Sequence, residues 1–364
     1  LLAEYERVRM TDAGRIPAAN LARFARDAFE RLGLTPEDAA IAAEVLIDAD
    51  LMGLDTHGIA HIDWHAGYAP GLRSGAVKAR PSTTIVRETP ATALMDADGG
   101  FGLVAARKAM DLAIAKAKVA GVGVVALRNS RHCGALGYYA HRAAKAGMVG
   151  MAMTNATPWV VPTNAKKKML GTNPMAIAAP VADGPPFLAD VTASTIAMGK
   201  VETATRLKQP LLEGWALDGQ GVTTTDPAVV YSEGGLTPLG STAALSSYKG
   251  YALGVAVDVF AGLLSGTAWS LRLDGRRSQS GQFFMALQIE AFADRRVFLE
   301  GMSDMLGSLK AAEPVEGVER VLVPGQREFE VRAEREANGV PVDPIIIDRL
   351  DRFADELGIA RLAR

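Results

Sequence analysis

The chain has 364 residues, 49% of them hydrophobic and 22% charged, with a formal net charge of −2; this ordinary globular usage allows one or two domains and excludes global attraction to nucleic acid or anionic lipid. Its one cysteine, Cys133, excludes an intrachain disulfide and fits a reducing compartment. The longest apolar stretch, Tyr251 to Leu264, contains Asp258 and is too short to span a bilayer, and Leu1 to Met10 has no signal-peptide apolar core, so a soluble, cytoplasmic protein without a membrane partner is expected.

The first third reads as helices. Ala18 to Leu32 has helical apolar spacing and stops at Gly33. Thr35-Pro36-Glu37-Asp38 opens a second helix, with a capping hydroxyl, proline in the first turn and acids at the positive dipole end. It runs to Met52. Directly after it, Leu51 to Tyr68 holds His57, His61 and His65, spaced i, i+4, i+8, which on a helix capped by Thr56 would form one stripe. Three readings fit that stripe: a solvated His-rich face, a catalytic histidine, or a zinc site that lacks an acidic or cysteine partner to complete it. Pro81 to Met95 then looks extended.

The middle alternates, as α/β chains do. Leu103 to Val119 reads as a helix, Val122 to Leu127 as a buried strand, Ala135 to Ala146 as a helix, and Val149 to Thr154 and Met175 to Ala179 as strands. Gly121-Val-Gly123-Val-Val-Ala126 matches a loose dinucleotide fingerprint, but its glycines close a helix and open a strand, the reverse of the required order. Any nucleotide would therefore sit on a fold other than the ordinary dinucleotide one.

Polar clusters interrupt the apolar strands. Asn129-Ser-Arg-His132-Cys-Gly134 lies between a strand and a helix, where it either faces a ligand or caps the helix. Cys133 and His132 are neighbours in an extended segment and point apart, so Cys133 reads as packing. Gly171-Thr172-Asn173-Pro174 introduces a strand or is a plain turn, and Asp190 follows an apolar strand as a cap or a site residue. Ser246 to Ser265 is a strongly apolar helix. Lys249 near its start opposes the dipole and is placed for an anion, or is simply solvated beside a Ser247 cap. Trp269 to Gly281 is a polar, Arg-rich loop. Phe283 to Ile289 reads as a strand, Ala293 to Lys310 as a helix, Val321 to Glu328 as a strand breaking into a turn and charged helix, and Pro344 to Leu357 as an amphipathic helix.

Six motifs, in order, resemble the malate/L-lactate dehydrogenase family of the second type, whose fold is unrelated to the Rossmann lactate and malate dehydrogenases. They are Leu-Asp-Thr56-His57-Gly58; Asn-Ser-Arg-His132-Cys-Gly-Ala-Leu-Gly-Tyr-Tyr; Leu-Gly-Thr172-Asn173-Pro174 with Ala-Ile-Ala-Ala-Pro; Asp190-Val-Thr-Ala-Ser194; Tyr-Lys249-Gly250-Tyr; and Val-Pro324-Gly325-Gln326-Arg-Glu. Each is weak alone; together they cover roughly residues 15 to 360.

The resemblance implies an α/β, non-Rossmann fold with a large, mostly antiparallel mixed sheet flanked by helices. It implies an N-terminal helical part (1–80) with 327–364 packing nearby, and an NAD(P)-binding domain over 81–326. It also implies a homodimer with the site between subunits. The activity implied is hydride transfer between NAD or NADP and C2 of a 2-hydroxy or 2-oxo acid, or a related imine. A hydride leaves an alcohol carbon only as the hydroxyl proton is taken, which suits a histidine. His132 is preferred as acid/base, with His57 and Thr56 orienting substrate; the alternative is a relay of Thr56, His57 and Asp190. Thr172 and Asn173 join His61 as substrate contacts. The cofactor is expected along His132 to Gly134, Thr172, Asp190-Val191-Thr192, Lys249 and Pro324-Gly325-Gln326.

The chain also departs from the family pattern. Thr56 replaces serine and keeps a hydroxyl. His61 stands where arginine would pair with a substrate carboxylate, and histidine cannot copy the bidentate fork. Ala156 replaces a serine and Gln326 a glutamate, the latter bearing on the choice between NAD and NADP. A zinc hydrolase using His57, His61 and His65, and an idle family member retained as a binding protein, are the two competing functions.

Overall fold

The structure, a computed structural model, describes residues 14–63, 68–273 and 280–364. It opens with β1 (Gly14–Ile16), α1 (Ala18–Arg31) and α2 (Pro36–Leu51). Thr35 caps α2 by accepting from the Asp38 N–H at 3.2 Å, with Pro36 in the first turn, as the sequence predicts. A short α3 (Tyr68–Arg73) precedes β2 (Thr84–Glu88) and β3 (Thr92–Asp96), so the extended stretch is a hairpin. Next come α4 (Gly102–Ala120), β4 (Val122–Ser130), α5 (Gly137–Lys145), β5 (Met148–Thr154), β6 (Met175–Ala179) and β7 (Phe187–Val191).

A smaller lobe follows: α6 (Met198–Leu207), β8 (Ala216–Leu217), β9 (Thr223–Thr224), α7 (Pro227–Tyr231) and β10 (Gly235–Leu236). The apolar helix is α8 (Tyr248–Val257), continued as a π-helix over Asp258–Leu263. The chain closes with β11 (Ser280–Gln288), α9 (Arg295–Lys310), α10 (Gln326–Asn338), β12 (Val340–Val342) and α11 (Pro344–Leu357).

Seven strands form one sheet in the order β2-β3-β4-β11-β5-β6-β7; only β3 and β4 run parallel, and every other neighbouring pair is antiparallel. This is the mixed, mostly antiparallel sheet that the resemblance implies. Its central strands carry small and branched apolar residues, and Ala106, Ala109, Ala113 and Ala117 of α4 are fully buried, so that helix can approach β4 closely. One apolar core runs from Ile16 and Phe29 through Leu103, Leu127 and Phe284 to Phe353. β1 pairs with β12, tying the start of the described chain to its C-terminal part. A second, smaller core lies under the lobe around Val160, Val201, Ala216 and Leu236.

Two expected elements differ. The histidine stretch is not one helix but two 3₁₀ turns, Asp55–His57 and Ile59–His61, because Gly58 between them is extended and Asp50 draws the Ile59 N–H inward. His65 lies outside the described residues, as do positions 274–279 of the Arg-rich loop. Val321 to Val323 is not a strand; it lies as a loop against β7, where the Leu188 N–H donates to the Pro324 carbonyl at 3.4 Å.

Candidate active site

The turn after α2 is fixed from below. Asp50, buried in the last turn of α2, accepts from the Ile59 N–H at 2.7 Å. Burial pushes its carboxyl well above the usual range. From α10, the buried Arg335 donates to the Asp50 carbonyl and pairs with Asp55 at 2.6 Å. Thr56 and His57 therefore project from a turn held at both ends. Thr56 Oγ1 lies 3.0 Å from His57 Nδ1, and the start of α6 closes over it at Gly199.

His132 arrives from the other side, on the loop between β4 and α5. Gln282 of the central strand β11 donates to the Arg131 carbonyl at 2.9 Å, anchoring that loop to the sheet. Gly134 turns with φ +73°, which aims its N–H at His132 Nδ1, 3.4 Å away. Tyr68 Oη is 3.0 Å from the same nitrogen. Residues 75 positions apart thus meet: the His132 ring centroid lies 5.6 Å from that of His57 and 5.1 Å from that of His61, and His57 and His61 stack at 6.5 Å. Tyr68 packs edge-on against His61 and Phe101.

His132 is solvent-accessible, and His57 and His61 are half-buried. Desolvation lowers His57, lowers His61 to about 4 with help from the His57 charge, and takes His132 well below the usual value. All three imidazoles are therefore neutral near pH 7. Arg349 of α11 lies behind His61, donating to the Ala60 carbonyl and pairing with Asp63 at 2.9 Å.

Asp190 meets the far end of the His132 loop. Its Oδ2 accepts from the Gly137 N–H, at the start of α5, at 2.7 Å. Desolvation raises its carboxyl to about 6, although the side chain reaches solvent, and its charge in turn raises the Cys133 thiol. It stands one residue before the end of β7, the edge strand of the large sheet. Val191 is exposed beside it. Thr192 bonds the Ser194 carbonyl at 3.1 Å, and the Thr172 carbonyl accepts from the Ala193 N–H at 2.8 Å. Pro324 and Gly325 lie against Leu188 of the same strand. An accessible carboxyl, hydroxyls and an unpaired sheet edge converge there, a donor and acceptor set that fits the ribose, amide and phosphate groups of a nicotinamide dinucleotide.

Other expected contacts sit differently. Asn173 is fully buried: its amide donates to the Gly254 carbonyl at 2.8 Å and to Asp258 at 3.1 Å, and its carbonyl oxygen accepts from the Ala156 N–H. Gln326 folds back on its own helix to Glu330 at 2.8 Å. Lys249 is exposed at the start of α8. Neither Asn129 nor Ser130 caps α5, since both belong to β4. Cys133 is buried, its thiol pushed up to about 12 by burial, and it packs as expected. Among the described residues, no group of three or more His, Cys, Asp or Glu side chains is disposed to hold a metal, and the His57 and His61 rings stack instead of converging their edges. Tyr68, Asp50, Arg335 and Gln282 escape sequence reasoning. Only Asp50 left a signal there, as an acid inside an apolar helix just before the histidine turn.

Comparisons over the whole chain point to one family. The family model described as malate/L-lactate dehydrogenase matches residues 16–351. A malate dehydrogenase of Pyrococcus abyssi is 39% identical over 352 residues, 96% of either chain. An L-sulfolactate dehydrogenase of Methanocaldococcus jannaschii is 37% identical, covering 92% of this chain and 94% of its own. The solved malate dehydrogenase of Pyrococcus horikoshii superposes with a TM-score of 0.88 at 36% identity, over 96% of this chain and 97% of that one. Dehydrogenases of this kind work with a nicotinamide cofactor. The chain belongs to the malate/L-lactate dehydrogenase family and is an oxidoreductase of that family.

Proposed function

We propose that this enzyme moves a hydride between NAD or NADP and C2 of a small 2-hydroxy or 2-oxo acid of the malate or sulfolactate type, with a related imino acid as the variant substrate. The observation that carries this reading is the meeting of His57 and His132, from distant parts of the chain, at 5.6 Å, with Asp190 bonded to the far end of the His132 loop. When bound, the cofactor supplies the hydride acceptor or donor. The chain's own residues hold the substrate oxygen, exchange its proton and keep water out.

Asp190, with Gly134, Val191, Thr192, Thr172, Pro324 and Gly325 around it, is the proposed cofactor seat. Its carboxylate is suited to accept from a ribose hydroxyl or the carboxamide. Lys249 and Gln326 are proposed as further cofactor contacts, and Asn173, buried next to Thr172 and bonded to Asp258, as the support of that turn. His57, His132 and Thr56 face the substrate. His61 offers one neutral ring in place of an arginine fork, so a carboxylate is held by single hydrogen bonds there. The two faces of the site are completed by a second copy of the chain. The support is the apolar surface that α8 and its π-helical continuation leave exposed, including Tyr248, Val255, Val259, Phe260, Leu263 and Leu264.

A panel of 2-oxo acids assayed with NADH and NADPH by nicotinamide absorbance tests the reading. Turnover is expected with short 2-oxo acids, and His132→Ala should lower kcat by about 10²–10⁴-fold. Unchanged turnover in a folded His132→Ala enzyme would refute the site. His61→Arg should raise kcat/KM on simple 2-oxo acids; no gain on any of them counts against the carboxylate argument.

A further inference from the structure

Tyr68 is buried to 5% exposure, and among the described residues its hydroxyl has one hydrogen-bonding partner, His132 Nδ1 at 3.0 Å. A phenol that accepted from an Nδ1–H would leave its own proton, on this buried side chain, without an acceptor among the described residues, which is unfavourable. The second neighbour of Nδ1 is the Gly134 N–H at 3.4 Å, which can only donate. Both facts require a lone pair on Nδ1. The ring's other nitrogen, Nε2, has no partner among the described residues, and the side chain reaches solvent. His57 is different. Its Nδ1 neighbour, Thr56, is half-buried, so that hydroxyl can accept from Nδ1–H and turn its own proton to solvent or substrate.

We propose that Tyr68 is a positioning residue that holds neutral His132 in the tautomer carrying its proton on Nε2, so that His132 meets the substrate oxygen as a hydrogen-bond donor while His57 exchanges the proton. The proposal rests on the oxidoreductase reading and assigns the roles within it. In the oxidation direction, the substrate O–H bond breaks and its proton passes to His57 Nε2. The C2–H bond breaks as hydride leaves for the nicotinamide. His132 Nε2–H stays bonded to its own proton and polarises the oxygen throughout, as a neutral imidazole does when its charged form is disfavoured. A free Nε2 lone pair on His132 would be needed for it to act as the base, and Tyr68 with Gly134 selects against that tautomer.

The test is the nitrogen–proton correlation spectrum of the imidazoles in ¹⁵N-histidine-labelled enzyme with its nicotinamide cofactor, near pH 7, the His132 signals being identified by their loss in His132→Gln. The proposal expects Nε2 of His132 in the protonated position and Nδ1 in the unprotonated one. In Tyr68→Phe the two forms should mix, and kcat should fall by about tenfold or more with KM nearly unchanged. A wild-type spectrum with His132 protonated on Nδ1 overturns the proposal, as does a folded Tyr68→Phe enzyme with the parent tautomer and kcat. Should Tyr68→Phe fail to fold, the wild-type spectrum still decides. The spectrum needs no turnover, so failure of the oxidoreductase reading would show separately, as absence of activity with the tautomer intact.

Discussion

Gly58 has no room for a side chain. A Cβ there would stand 1.8 Å from Asp50 Oδ1, so the extended glycine and the buried carboxyl are one device that turns the chain and aims His57. Gly58→Ala is expected to cost at least about 2 kcal/mol in denaturant unfolding and to lower kcat, because relief of the clash must move the turn. An alanine variant with parental stability and activity would contradict that. Asp190 carries a second prediction at this scale. Its carboxyl titrates at about 6 in the fold against an ordinary 3.8, so the neutral form's contribution to stability is complete below about pH 4 and is lost as pH rises through 6. Asp190→Asn should therefore gain stability relative to the parent across that window and run parallel to it above, as read by urea melts at several pH values. In its proposed role the ionised carboxylate is the acceptor, so cofactor affinity should weaken as pH falls through 6 in the parent and not in Asp190→Asn.

Among the elements, the π-helix is the one that an unusual side chain explains. Asp258 turns inward, accepting from Asn155 at 3.0 Å, from Asn173 at 3.1 Å and from the Ser270 N–H and hydroxyl at 2.9 and 2.8 Å. Removing it leaves several buried donors without an acceptor, so Asp258→Ala should cost about 3 kcal/mol or more in denaturant unfolding. Strands and amphipathic helices were legible wherever the cause is local: Met175 to Ala179 and Pro344 to Leu357 lie where their patterns place them. The histidine stripe was misread because its spacing is helical while Gly58 and the distant Asp50 break the helix. The rings nevertheless meet, brought together by the stacking of two turns. Val321 to Val323 has strand-forming residues but forms no ladder with the edge strand β7, which this segment meets through the single bond from Leu188 to Pro324. The inward turn of Asn173 and the approach of Tyr68 to His132 depend on partners 85 and 64 residues away, which no local pattern announces.

For the whole molecule, the order of the motifs along the chain made the family readable before the geometry did, and the fold brings the His57 and His132 motifs together. The exposed apolar surface of α8 and its continuation makes the next prediction: sedimentation should give a mass about twice the 38.4 kDa chain, and Leu263→Glu should shift it toward one chain with loss of activity. A monomeric parent with full activity would remove the second copy from the site. The central claim is that the His57–His132 cleft serves hydride transfer to and from a 2-oxo acid, and its most direct measurement is cofactor oxidation by the purified enzyme over a panel of 2-oxo acids and cyclic imines with NADH and NADPH. The account predicts turnover with at least one short 2-oxo acid that collapses in His132→Ala; a folded enzyme that oxidises neither cofactor with any member of the panel would contradict it.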